Sequence, residues 1–324
     1  MHNTNQLDPF CNKHGYINYS MNTRYLLLIL LLTVSATLSA QSRPGNKGAG
    51  IPIEVLKAYE ALEFMGMPYR FLLPENYDSK KKYPLILNLH GAGGVGDDNE
   101  SQMRNWTEVF VDKTWRKKYP CVVVAPQSRS SWSLFNESIP ELDLEKISSF
   151  SPGWKSRFES GRYSSDTVST GSLTMALLLI DNIARDYSID SERIYVMGHS
   201  MGGAGTWNAI WAEPDKFAAA IPSAGGLLPF KDKSSLGKTP IWAFHGDIDP
   251  VVPFDFSSSI FDAMKQAKGN MKFTVLKDVK HNASNYAFYY EGDDQKKGYI
   301  THQSSDLCDP TPSVWDWLFK QILE

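Results

Sequence analysis

The stretch that most constrains this chain is Arg193–Trp207, Arg-Ile-Tyr-Val-Met-Gly-His-Ser-Met-Gly-Gly-Ala-Gly-Thr-Trp. An apolar β-type run (Ile194, Tyr195, Val196, Met197) passes straight into Gly198-His199-Ser200-Met201-Gly202, and small residues then open a helix. The turn between strand and helix must be sharp. Ser200 at its apex is forced into a strained backbone that lifts the hydroxyl out of the sheet. Gly198 and Gly202 remove the side chains that would collide there. The helix aims its first N–H groups and the positive end of its dipole at the same point, where charge on a reacting oxygen would develop. The same letters also fit a Gly-rich turn in any α/β protein, so the rest of the chain has to decide between the two.

Elsewhere the chain alternates β-type runs with helical spacing. Ala58–Phe64 and Pro68–Pro74 read as two strands around Met65-Gly66-Met67. Pro84–His90 and Pro120–Pro126 are almost continuously apolar, the mark of strands buried on both faces. Leu173–Ala184 has helical spacing, Phe217–Pro222 and Pro240–Phe244 read as strands, Phe256–Ala267 as a helix, Met271–Val279 as a last strand and Ser313–Leu323 as a closing amphipathic helix. This order predicts an α/β chain with one mainly parallel sheet covered by helices on both faces, over a single domain spanning 41–324. Sites in such sheets form beyond the carboxyl ends of the strands.

Two segments stand apart. Residues 1–40 read as an N-terminal extension and secretory signal: Arg24, a short Leu-rich run from Tyr25 to Val34, then small residues to Ala40. The polar residues 1–20 sit awkwardly ahead of a signal, which makes Met21 the candidate start. The expected location is secreted or periplasmic, with no membrane span once the signal is removed. Cys121 and Cys308 would then meet an oxidising compartment, where a disulfide between them is one option. Residues 128–165 are irregular, rich in Ser, yet aromatic. They are expected to form a lid or binding insert, the alternative being a surface excursion pinned down by its aromatics. Trp132 and Trp154 are the candidate substrate-binding residues there. With 42% hydrophobic and 21% charged residues and a net charge of −3, nothing points to nucleic acid as a partner.

A serine hydroxyl is a weak nucleophile and needs a base held by an acid. When the serine sits on a strand–turn–helix, the chain order is Ser, then Asp or Glu, then His. His2 and His14 lie ahead of the signal, His90 and His199 precede Ser200, and His245 precedes the expected acid. His281 and His302 remain. His281 closely follows the last strand and is preferred; His302 lies in a polar segment. Asp247 and Asp249 both follow Pro240–Phe244. Asp249 is preferred because Pro250 and Pro253 fix its loop, whereas Asp247 after Gly246 reads as a turn residue. The oxyanion donors are expected to be the N–H groups of Met201 and of Ala92, the latter in the Gly-rich loop His90-Gly91-Ala92-Gly93-Gly94. A Walker loop is excluded by the missing Lys-Ser/Thr, and no H-E-x-x-H pattern is present, so neither metal nor organic cofactor is expected.

The chain resembles the secreted esterase and "predicted peptidase" branch of the α/β-hydrolases, near feruloyl esterases, polyhydroxybutyrate depolymerases and phospholipase/carboxylesterase-like proteins. The resemblance rests on LHGAGGVGDDNE (89–100), VVVAPQ (122–127), the block at 189–226, IWAFHGDIDPVVP (241–253) and VKHNAS (279–284). It implies the α/β-hydrolase fold, with Ser200 as nucleophile, Asp249 as acid and His281 as base. The segments 128–165 and 289–308 are longer than that pattern leads one to expect. The expected function is a serine esterase forming an acyl-enzyme, acting on an ester substrate, a carbohydrate-linked ester being one option. The alternatives are a serine peptidase of short peptides and an inactive hydrolase-fold glycan-binding module.

Overall fold

Among the described residues nine strands form one sheet in the order β1-β2-β4-β3-β5-β6-β7-β8-β9. In this computed structural model the described residues are 50–132, 171–226, 236 and 239–323. The signal segment, Trp154 and nearly all of the 128–165 insert lie outside them.

The strands are β1 Glu60–Phe64, β2 Met67–Leu72, β3 Tyr83–Leu89, β4 Val122–Pro126, β5 Ile189–His199, β6 Ala219–Ser223, β7 Ile241–Gly246, β8 Met271–Leu276 and β9 Tyr299–Gln303. Strands β3 to β8 are mutually parallel. The β1–β2 hairpin joins β4 antiparallel on one side, and β9 joins β8 antiparallel on the other. The helices are α1 Ile53–Ala58, α2 Lys113–Lys118, α3 Ser172–Asp186, α4 Met201–Ala212, α5 Asp255–Gln266, α6 Ser284–Ala287 and α7 Val314–Lys320.

The near-continuous apolar runs are explained by the two faces. Leu85, Leu87, Leu89, Val122, Val124 and Val196 pack on one side, with residues of α3, α4 and α5. Ile86, Val123, Ala125, Tyr195 and Met197 pack on the other, with α1, α2, α7 and the 3-10 segment Trp106–Val111. Successive residues alternate between two cores, so neither face tolerates a polar stripe.

Several features depart from the sequence reading. Strand β9 was not expected, and it carries His302 onto an exposed sheet edge. The last parallel strand ends at Leu276, and 277–279 already belong to the turn leading to His281. Helix α2 was also missed, although Asp112 caps it by accepting from the Trp115 amide at 2.8 Å. Cys121 and Cys308 are both buried free thiols, so the disulfide option is not realised. Among the described residues no helix is long and apolar enough to cross a membrane.

Candidate active site

Ser200 stands between β5 and α4 with φ 58° and ψ −118°, a conformation a non-glycine residue adopts only under strain. Two constraints impose it. The Ser200 amide donates to Ser223 O of β6 at 2.9 Å, fastening the turn to the sheet. The end of β3 leaves no room beside it: a Cβ on Gly202 would run into the Leu89 carbonyl, and one on Gly198 would lie 2.6 Å from the same oxygen. The two glycines let β3, the turn and α4 close up, and Ser200 takes the strain.

Three side chains named from chain order meet here in one hydrogen-bonded line. His281 Nε2 is 2.7 Å from Ser200 Oγ, and His281 Nδ1 is 2.8 Å from Asp249 Oδ2. Asp249 sits in the loop after β7 with its side chain fully buried, and its Oδ1 accepts from the amides of Val251 (2.8 Å) and Val252 (3.0 Å). Burial alone would raise this carboxyl. Hydrogen bonds from His245, His281 and the two amides outweigh it and hold the group well below the usual carboxylate range. An ionised acceptor at Oδ2 obliges His281 Nδ1 to carry the hydrogen, which leaves Nε2 free to accept the serine proton.

The loops after β7 and β8 meet because Gly246 has no side chain; a Cβ there would run into the Val279 carbonyl. Asp247, the other acidic candidate, accepts from the Asp278 amide at 2.7 Å and so stitches the same two loops together.

Met201 is the first residue of α4, so its N–H has no acceptor within the helix. Ala92 opens the 3-10 turn Ala92–Gly94, whose own bond runs from Gly94 N to Gly91 O at 2.9 Å. The loop adjoins the serine: a Cβ built on Gly91 would stand 3.8 Å from Ser200 Cβ.

Three histidines set aside by chain order line the site. His90 accepts from the Ser128 amide at Nε2 (2.9 Å), so its hydrogen is on Nδ1, which donates to Gly91 O (2.7 Å) and braces the Ala92 loop. Burial pushes its pKa down to about 4. His199 packs its ring on that of His281 at 5.1 Å between centroids and pairs Nδ1 with Ser223 Oγ at 3.1 Å. Burial, then the charge of His281, pushes it down to about 3. His245 lies behind Asp249, its Nε2 3.4 Å from Oδ2. The only signal for these residues in the sequence is a histidine beside a glycine at a strand's carboxyl end.

Trp132 is not placed as a substrate contact. Its side chain is buried, its indole N–H donates to His90 O at 2.8 Å, and its ring lies 4.8 Å from the His90 ring. It props the Ala92 loop from beneath. Among the described residues no cluster of three or more His, Cys, Asp or Glu side chains is arranged to hold a metal ion.

Residues 155–289 match the family model described as Phospholipase/Carboxylesterase. "Probable feruloyl esterase C" of Aspergillus terreus is 26% identical over 63% of this chain and 63% of its own length. "Acyl-protein thioesterase 1" of Neurospora crassa is 31% identical over 41% of this chain and 59% of its own. A crystal structure of a thermostable esterase superposes with a TM-score of 0.58 at 28% identity, covering 83% of this chain and 64% of that one. The chain thus spans less than two thirds of the length of each. The sheet order, the strand–serine–helix turn and these similarities agree: the chain has the α/β-hydrolase fold, and it is similar to esterases of that superfamily.

Proposed function

We propose that this protein is a serine hydrolase of carboxylic esters that works through an acyl-enzyme. The observation that carries the reading is the unbroken line Ser200 Oγ–His281 Nε2 and His281 Nδ1–Asp249 Oδ2, at 2.7 and 2.8 Å. As the Ser200 oxygen bonds to the ester carbonyl carbon, its proton passes to His281 Nε2. Asp249 holds the imidazole in the accepting tautomer and stabilises the imidazolium. The Met201 and Ala92 N–H groups take the charge that collects on the carbonyl oxygen. His281 then gives its proton to the departing alcohol. In the second half it takes a proton from water as the water oxygen bonds to the acyl carbon, and it returns that proton to Ser200 Oγ as the bond from Oγ to the acyl carbon breaks and the carboxylic acid departs.

The Leu-rich run at 25–34 with the small residues to Ala40 supports export to a secreted or periplasmic location. The name of the Aspergillus terreus relative makes a feruloyl ester the first acyl group to test. With export it favours an ester carried on a polysaccharide fragment as the natural substrate. The experiment is an ester panel (p-nitrophenyl acetate and butyrate, methyl ferulate, acetylated xylan) with a short-peptide panel, run on wild type and Ser200→Ala. Ester turnover that Ser200→Ala abolishes, with fluorophosphonate labelling of wild type only, is expected. Turnover retained in Ser200→Ala overturns the assignment.

A further inference from the structure

His245 is completely buried at the end of β7, and the proposed mechanism makes no use of it. Its surroundings dictate where its hydrogen is. Nε2 lies 3.0 Å from Val252 O and 3.4 Å from Asp249 Oδ2, and both of these atoms only accept. Nε2 therefore carries a hydrogen, shared between the nearer carbonyl and the carboxylate. At the other end of the ring Nδ1 is 2.7 Å from Ser257 Oγ, which is itself 2.9 Å from Gly225 O. The ring stands edge-on to Phe254. One side chain thereby ties together the acid loop, α5 through Ser257 and the segment after β6 through Gly225.

The consequence falls on Asp249. Its Oδ1 is occupied by the Val251 and Val252 amides, and its Oδ2 has two donors, His281 Nδ1 at 2.8 Å and His245 Nε2 at 3.4 Å. A carboxylate held only on Oδ1 can swing about that anchor. A second donor on Oδ2, rooted in the core, removes that freedom. It also draws on the charge that Oδ2 presents to His281.

We propose that His245 is a positioning residue of the hydrolytic site: its Nε2–H, anchored through Ser257, orients Asp249 Oδ2 toward His281 and moderates the charge felt there. This rests on the Ser200–His281–Asp249 reading above. The titratable groups around it are Asp249, with His281 and His199 beyond. A buried histidine that merely fills space would have no such link to His281, and the test separates the two.

The variants are His245→Phe, which keeps an aromatic ring and removes both nitrogens, and His245→Gln, which can return a donor to the Nε2 position. The readouts are the downfield proton resonance of His281 Nδ1–H, the pH profile of kcat/KM on p-nitrophenyl acetate, and the melting temperature. His245→Phe should lower kcat roughly 10- to 100-fold with KM little changed, because small misplacements in a catalytic array are that costly. It should also displace the resonance and the acidic limb of the profile. His245→Gln should recover most of the loss and restore the resonance. If His245→Phe does not fold, Ser257→Ala frees Nδ1 instead and should move the resonance in the same direction. Wild-type kcat, acidic limb and resonance in His245→Phe overturn the proposal. So does a His245→Gln variant as impaired as His245→Phe with the same loss of melting temperature, and so does an unmoved resonance in Ser257→Ala. Should wild type hydrolyse no ester at all, the ester reading fails, and the resonance still decides the role of His245.

Discussion

Replacing Trp132 by Phe asks whether this aromatic serves the substrate or the scaffold. The indole N–H donates to His90 O at 2.8 Å, the ring stacks 4.8 Å from the His90 ring, and the side chain is 2% exposed. A phenyl ring preserves the stacking and removes the donor. The His90 carbonyl, which immediately precedes Gly91 and Ala92, is then buried without a partner, at a cost of about 1–3 kcal/mol. For a folded unit of this size about 2 °C of melting temperature goes with each kcal/mol, so a fall of about 2–6 °C is expected. Trp132→Ala adds a cavity and should cost about 3–5 kcal/mol, a fall nearer 6–10 °C. The assay is calorimetry at pH 7.5 beside Michaelis kinetics on p-nitrophenyl esters of increasing acyl length. A scaffold role lowers the melting temperature and reduces kcat by a similar factor for every ester, because the Ala92 N–H is less well held. An unchanged melting temperature with KM raised for one acyl length alone refutes this account and returns Trp132 to the substrate.

Two further outcomes follow from buried groups. His90 and His199 are depressed to about 4 and about 3 from an ordinary 6.5, so below pH 6.5 the unfolded chain binds protons that the folded chain refuses. Their contribution is intact above pH 6.5 and is lost as the pH falls towards those folded values, by about 2 kcal/mol from each at pH 5. Urea unfolding at pH 7.5 and pH 5 measures it, and a flat stability between the two contradicts the buried neutral assignment. Because Cys121 and Cys308 are free and buried, a reductant should leave the melting temperature of the folded protein where it is; a drop on adding dithiothreitol would mean a disulfide after all.

What could be read from residues alone divides along physical lines. Runs such as Pro84–His90 announce themselves because both faces of an interior parallel strand demand apolar side chains. That Ser200, Asp249 and His281 would come together could be anticipated because chain order and strand ends restrict the candidates to a few residues. Strand β9 escaped notice because an edge strand is held by backbone pairing to β8, so its side chains, Tyr299 to Gln303, are free to be polar and part exposed. The burial of Trp132 against His90 could not be read, because an aromatic in an irregular segment looks the same whether it faces a cleft or the underside of a loop. The roles of His90, His199 and His245 could not be read at all. Each depends on partners distant in sequence, such as Ser128 for His90 and Ser223 for His199.

The two ends of the sheet have a consequence for how the molecule comes apart. Among the described residues, β1 and β9 are the strands of this sheet with an unpaired margin, and both are partly exposed. Every strand that delivers a candidate site residue, β3, β5, β7 and β8, has a neighbour on each side. Fraying begins where one flank is open, so local opening is confined to the margins, and the strands under the site separate only when the whole sheet does. The strand ends beneath the candidate site are thereby coupled to the global unfolding free energy, while Asp249 and His281 ride on the loops that follow β7 and β8. A marginal strand can open, or be nicked, while the strands beneath the candidate site stay paired.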